Sequence, residues 1–130
     1  MSDSRPEWRI LFVCMGNICR SPTAEGMLRK RLEEEGMADR VAVDSCGTGA
    51  WHVGQPPDPR ALRAATDRGI DLGELRGRQL TVEDFERFEE ILVMDSDNLE
   101  RTLALQPADS RARVSRLLNY AGQLDEDVPD

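Results

Sequence analysis

Cys14, Gly16, Asn17, Arg20 and Ser21 fall within the eight residues from Cys14 to Ser21. Each type has a part in one chemistry. A cysteine thiolate is a strong nucleophile, but a free thiol with a pKa of roughly 8.5 is only a few per cent ionised at neutral pH. The planar fork of an arginine binds two oxygens of a phosphoryl group at once. The run Met15, Gly16, Asn17, Ile18, Cys19 between them supplies successive backbone N–H groups, which curl into an anion-binding nest when the backbone turns tightly. Pro22 stands where a helix begins, and Ser21 is suited to cap it, so the positive end of that helix adds to the same spot. This field favours a phosphoryl dianion and a thiolate alike. The Ser21 hydroxyl is placed to donate to the sulfur, and Asn17 to accept a left-handed backbone or to tie the loop down with its amide. Alone, a cysteine ending a strand is ordinary core and an arginine an ordinary surface cation. The complete string points to nucleophilic attack on phosphorus.

Elements that position this loop are legible on both sides of it. The stretch Trp8 to Val13 reads as a strand. The helix from Pro22 places Ala24, Met27, Leu28 and Leu32 on one face and Glu25, Arg29, Glu33 and Glu34 on a solvated face, with Gly36 as its stop. Val41 to Cys46 reads as a second strand, followed by a glycine- and proline-rich loop from Gly47 to Pro57, long enough to suggest a functional role. Asp58-Pro59 opens a helix to about Arg68, ended by Gly69. Thr81-Val82-Glu83-Asp84 has the form of a capping box for a short helix carrying Phe85 and Phe88. Ile91 to Met94 is a third strand. Asp95 to Asn98 caps a helix carrying Leu99 and Leu103 and closed by Pro107, and Val114 to Leu118 is a weaker fourth strand. Strands alternating with helices predict a single α/β domain over residues 1–130. It is a three-layer sandwich with a four-stranded, mostly parallel sheet and helices on both faces. Such sheets bind ligands beyond the carboxyl ends of their strands, which is where Cys14 stands.

Composition narrows the function classes. The 130 residues suffice for one core, and the net charge of −8 opposes a broad nucleic-acid footprint while leaving room for a local positive field. No apolar run approaches a membrane span, and residues 1–9 lack the apolar centre of a signal peptide. These features predict a cytoplasmic protein, a monomer or weak oligomer, with neither nucleic acid nor membrane as partner. The three cysteines, Cys14, Cys19 and Cys46, read as free thiols, Cys46 in the core. One histidine, His52, gives no metal-site spacing, so no metal and no cofactor is expected. His52 reads as a loop residue rather than as the base of a cysteine-histidine hydrolase.

The segment Cys14-Met15-Gly16-Asn17-Ile18-Cys19-Arg20-Ser21-Pro22 resembles the active-site signature of the low-molecular-weight protein tyrosine phosphatases. The resemblance continues through Val43-Asp44-Ser45, the run Gly49 to Arg60, Arg78-Gln79-Leu80, Ile91 to Asp95 and Asn98-Leu99, and so covers nearly the whole chain. It implies hydrolysis of phosphotyrosine or other aryl phosphates through a phosphocysteine. Cys14 is then the nucleophile, and Arg20 binds the phosphate and stabilises the transition state. Ser21 supports the thiolate, Asn17 holds the loop, and the N–H groups from Met15 to Cys19 bind oxygens. Ser45 would lend support from behind, and Trp51 would form part of the cleft wall. The resemblance assigns the general acid to Asp130, with Asp125 and Asp127 as weaker candidates. It also implies a reversible Cys14–Cys19 disulfide under peroxide.

Two departures from the family pattern carry expectations. The chain stops at Asp130, short of the Pro-Tyr-Tyr and final helix of the family. This predicts a missing C-terminal segment and weak activity for this chain compared with a longer form. Leu75 stands where many members carry a histidine that braces the loop asparagine. Two alternatives remain beside the phosphatase. One is a thiol-dependent arsenate reductase, for which Cys46 is the sole further cysteine outside the loop. The other is a catalytically silent module that binds phosphoproteins.

Overall fold

The computed structural model describes residues 6–118. Four strands form one sheet: β1 (Trp8–Cys14), β2 (Val41–Gly47), β3 (Glu90–Val93) and β4 (Arg113–Arg116), in the order β2-β1-β3-β4. Every pairing among them is parallel. The helices are α1 (Arg20–Glu34), α2 (Pro59–Asp67), α3 (Asp84–Arg87) and α4 (Ser96–Leu105). None is long and apolar enough to cross a membrane.

The apolar residues of β1 alternate between two cores. Leu11 and Val13 join Cys46, Leu80, Phe85, Ile91 and Val93 on one face, with Phe88, Leu99 and Val114 packed against them. Phe12 and Cys14 join Leu32, Val43, Leu92 and Met94 on the other, with Ala24 and Leu28 of α1. Helix α1 thus covers one face and α3 with α4 the other. Burying each large aliphatic side chain contributes about 1.5–3 kcal/mol, so β1, apolar toward both layers, is the natural centre of the sheet. The chain leaves β1 toward β2 on one side and adds β3 and β4 on the other. Right-handed crossovers then place the two intervening helices on opposite faces and open a crevice at the carboxyl end of β1.

Capping explains where two of the four described helices start. Asp58 accepts the Arg60 N–H at 2.8 Å and Pro59 is the first residue of α2. Asp95 accepts the Asn98 N–H at 2.8 Å at the start of α4. Asp84 reaches back to the Thr81 N–H at 2.9 Å, which is one half of the expected box. Helix α1 departs from expectation. It begins at Arg20 rather than Pro22, and no side chain caps it. Ser21 lies inside the first turn, because its hydroxyl is engaged elsewhere. The expected solvated face of α1 also needs correcting, since Glu25 is only 1% exposed, while Met27, expected in the core, is exposed.

Candidate active site

The loop between β1 and α1 is held from outside by its oxygens. The carbonyls of Cys14 and Met15 accept from the Thr48 and Gly49 N–H groups at 2.8 and 2.9 Å, and the Ile18 carbonyl from the Asp58 N–H at 2.7 Å. With its oxygens turned to neighbouring segments, the loop is suited to present N–H groups to an anion. Gly47 makes the close approach feasible: a Cβ there would stand 2.6 Å from the Met15 carbonyl oxygen. At the apex Asn17 takes φ of 58°, the sole positive φ of a non-glycine among the described residues. Asparagine tolerates that region better than most residues.

Asn17 also ties the loop down. Its Nδ2 donates to Ser21 Oγ at 2.8 Å and to Ser45 Oγ at 3.0 Å, and its Oδ1 accepts from the Arg78 N–H at 3.0 Å. The last bond occupies the asparagine oxygen without any help from Leu75, whose own N–H donates to the Leu72 carbonyl. Arg78 is fixed in turn by a two-pronged bond to the buried Asp84 and by Asp44. Burial opposes the Arg78 charge, but Asp84, Cys46 and Asp44 around it hold its pKa above the ordinary range.

Cys14 is buried at the base of this loop. Its Sγ lies 2.9 Å from Ser21 Oγ and accepts from the Asn17 N–H at 3.2 Å. Ser21 receives the Asn17 amide, which leaves its own hydrogen for the sulfur or for the Cys46 carbonyl, 3.4 Å away. A negative sulfur draws that hydrogen to itself.

Above the sulfur opens a cleft of about 500 Å³ lined by Cys14, Met15, Gly16, Ile18, Cys19, Arg20, His52, Asp58 and Arg60. The structure therefore gathers six of the sequence-derived residues around one cavity, with Asn17, Ser21 and Ser45 buried close behind. Trp51 is not among the lining residues; it is 68% exposed, and its ring lies against Gly49, where a Cβ would clash with it. His52 does line the cleft, but its Nδ1 faces Gln55 Oε1 at 2.8 Å. Asp130, Asp125 and Asp127 lie outside the described residues. Cys14 is buried and Cys19 exposed, and no disulfide joins them in this structure.

Asp95 is a site residue that sequence reasoning passed over as a cap. Arg20 Nη1 donates to its Oδ2 at 3.0 Å while its Oδ1 caps α4. One carboxylate thus aims the guanidinium and starts a helix. The available signal was its place at the carboxyl end of β3, beside the end of β1. Asp95→Asn separates the two roles, since asparagine caps as well as aspartate. The expected result is a melting temperature close to wild type and a kcat for aryl phosphates about tenfold lower, because small misplacements of a catalytic group are costly. A wild-type kcat would show that the pair does not aim Arg20.

Comparison with known proteins agrees with this geometry. A family profile described as "Low molecular weight phosphotyrosine protein phosphatase" matches residues 9–130. A protein of that name from Schizosaccharomyces pombe is 47% identical over 114 residues, 87% of this chain and 72% of the relative. A protein of the same name from Sus scrofa is 40% identical over 116 residues, 88% of this chain and 73% of the relative. The crystal structure of YfkJ from Bacillus subtilis superimposes with a TM-score of 0.89 at 35% identity, covering 95% of this chain and 78% of that one.

Proposed function

The chain belongs to the low molecular weight phosphotyrosine protein phosphatase family, and from that premise we propose that it hydrolyses phosphotyrosine and related aryl phosphates through a phosphocysteine on Cys14. The observation that carries this reading is the Cys14 sulfur held by Ser21 and the Asn17 N–H at the floor of a cleft that also holds Arg20.

The reaction runs in two displacements. The Cys14 thiolate attacks phosphorus, an S–P bond forms and the bond to the aryl oxygen breaks. The general acid, assigned to Asp130 by family resemblance, gives its proton to the departing phenolate. Water then attacks the phosphocysteine, losing a proton to the same carboxylate. The S–P bond breaks, and phosphate and the thiolate are released. Arg20 and the loop N–H groups bind the oxygens on which charge accumulates. Ser21, donating to the sulfur, steadies the thiolate at the start and as the leaving group of the second step.

The arsenate-reductase alternative needs a relay of thiols, and beyond Cys19 inside the loop that calls for a further thiol within reach of solvent. Cys46 is fully buried, and burial pushes its thiol well above the ordinary range, which suits packing and not exchange. The binding-module alternative is separated by turnover itself.

Acid-quenching during hydrolysis of para-nitrophenyl phosphate tests the reading, with the phosphoryl group located by mass spectrometry. A phosphoryl group on Cys14 is the expected result, and hydrolysis without it would sink the proposal. Asp130→Asn is expected to slow the first step by about 10²–10³-fold. The loss should be larger for phenyl phosphate than for para-nitrophenyl phosphate, whose leaving group needs a proton less. Equal losses on the two esters would remove Asp130 from the role of acid.

A further inference from the structure

Helix α1 carries a buried carboxylate that the reaction above does not use. Glu25 is 1% exposed, and its Oε1 accepts from Ser45 Oγ at 2.6 Å. Its Oε2 pairs with Arg29 at 2.6 Å, one turn on along the helix. Arg29 is half-exposed and also donates to the Val43 carbonyl at 2.7 Å. The polar groups that face Glu25 are Arg29 from α1, Asp44 and Ser45 from β2, and Arg78 from the segment before α3.

Counting hydrogens along the chain of contacts gives them a direction. An amide nitrogen only donates, so Ser45 and Ser21 both accept from Asn17 Nδ2. The Asn17 amide keeps this orientation as long as its oxygen receives the Arg78 N–H. Ser45 therefore sends its single hydrogen to Glu25, and an ionised carboxylate can only accept it. At the other end Ser21 keeps its hydrogen for Cys14.

We propose that Glu25, held by Arg29, is a positioning residue for the nucleophile: its carboxylate is the terminal acceptor that fixes the hydrogen-bond direction through Ser45, Asn17 and Ser21, so that the Ser21 hydroxyl points at the Cys14 sulfur. The inference rests on Cys14 being the nucleophile. Protonation would reverse the relay. The Arg29 charge beside Oε2 disfavours a proton there, so the proton falls on Oε1 and is donated to Ser45. The Ser45 hydrogen then points at the Asn17 nitrogen, itself a donor, which drives the amide to give up its bond from the Arg78 N–H and turn, and Ser21 loses the donor that committed its hydrogen to sulfur.

A residue kept for stability alone would look different. Burial raises the Glu25 pKa above its ordinary 4.5, against the opposing pull of Ser45 and Arg29. A carboxyl group with a raised folded-state value contributes stability that is full below 4.5 and lost as pH rises through that higher value. The ionised form that the relay requires at neutral pH is thus held against the preference of the fold.

Three variants test the proposal: Glu25→Gln, Arg29→Met and the two combined. Their readouts are the pH midpoint of Cys14 alkylation by iodoacetate, located by fragment mass spectrometry, and the pH profile of kcat/KM on para-nitrophenyl phosphate. Glutamine has one acceptor oxygen for two donors, Ser45 and Arg29. Glu25→Gln should therefore raise the alkylation midpoint by about one pH unit and lower kcat/KM near neutrality about tenfold. Arg29→Met should move the acid limb of kcat/KM upward, because an unpaired Glu25 protonates more easily. In the double variant the single amide oxygen is free for Ser45, so the midpoint should return to near wild type. A wild-type midpoint in folded Glu25→Gln, an unmoved acid limb in Arg29→Met, or a double variant no better than Glu25→Gln would each overturn the proposal. Alkylation needs no phosphate ester. A wild-type protein that fails to hydrolyse aryl phosphates would refute the phosphatase reading, while the midpoints still decide the role of Glu25.

Discussion

Cys14→Ser should lower turnover of para-nitrophenyl phosphate by on the order of 10⁵-fold or more, while the protein stays folded and still binds phosphate. The size follows from the step that is lost. A serine hydroxyl at this position has no adjacent base, since the sulfur's partners among the described residues are Ser21 and the Asn17 N–H, both placed to donate to a negative atom. Oxygen is also smaller than sulfur and keeps both contacts, so little packing is disturbed. The anion-binding parts of the cleft, Arg20 and the loop backbone, are untouched. Turnover and the inhibition constant for inorganic phosphate, measured on one preparation, separate the two functions. Residual activity within tenfold of wild type would show that the nucleophile is elsewhere.

Arg20→Lys is expected to lower kcat/KM by about 10³–10⁴-fold, within the range known for arginines that neutralise a phosphoryl transition state. Lysine keeps the charge, so the loss measures geometry. An ammonium cannot span two phosphoryl oxygens with one planar group. Nor can it do so while its orientation is set by a fixed carboxylate, as Asp95 sets Arg20 at 3.0 Å. The loss should fall mainly on kcat, with phosphate inhibition weakened much less, because charge attraction survives. If Arg20→Lys retained more than a tenth of wild-type kcat, the two-oxygen grip would not be the source of rate.

What the sequence revealed and what it concealed divide along chain distance. The strand, the glycine turn, the arginine and the helix start that frame the loop are local. Their types and spacing alone brought Cys14, the loop backbone and Arg20 to one cleft, as the structure has them. The parallel sheet was equally readable, because alternating apolar runs and caps state it element by element. The partners that set the loop come from afar. Asp95 is 75 residues from Arg20, Arg78 is 61 from Asn17, and Ser45 is 20 from Glu25. Ser45 alone of these was anticipated as support, through family resemblance. Glu25 was placed on a solvated face because a carboxylate on an amphipathic helix usually belongs there. Only a neighbouring strand that offers a hydroxyl shows otherwise. For Ser21 the sequence supports two roles at once, because capping and donating to sulfur call for the same residue type at the same place, and the structure keeps the contact with sulfur and drops the cap.

The position of β1 between β2 and β3 has a consequence for how the molecule opens. Leu11, Phe12 and Val13 have strand neighbours on both sides and apolar layers above and below. Their amide hydrogens should exchange with solvent only when the whole molecule unfolds. The strand that ends in Cys14 is therefore in the last unit to come apart. The α4–β4 margin is different, because among the described residues β4 is an edge strand with one neighbour. A brief detachment of that margin would carry away Asp95 and break its bond to Arg20, with the sulfur and its two contacts still in place. Slow exchange at Cys14 and faster exchange at the start of α4 would mark two separately opening parts of one reaction centre.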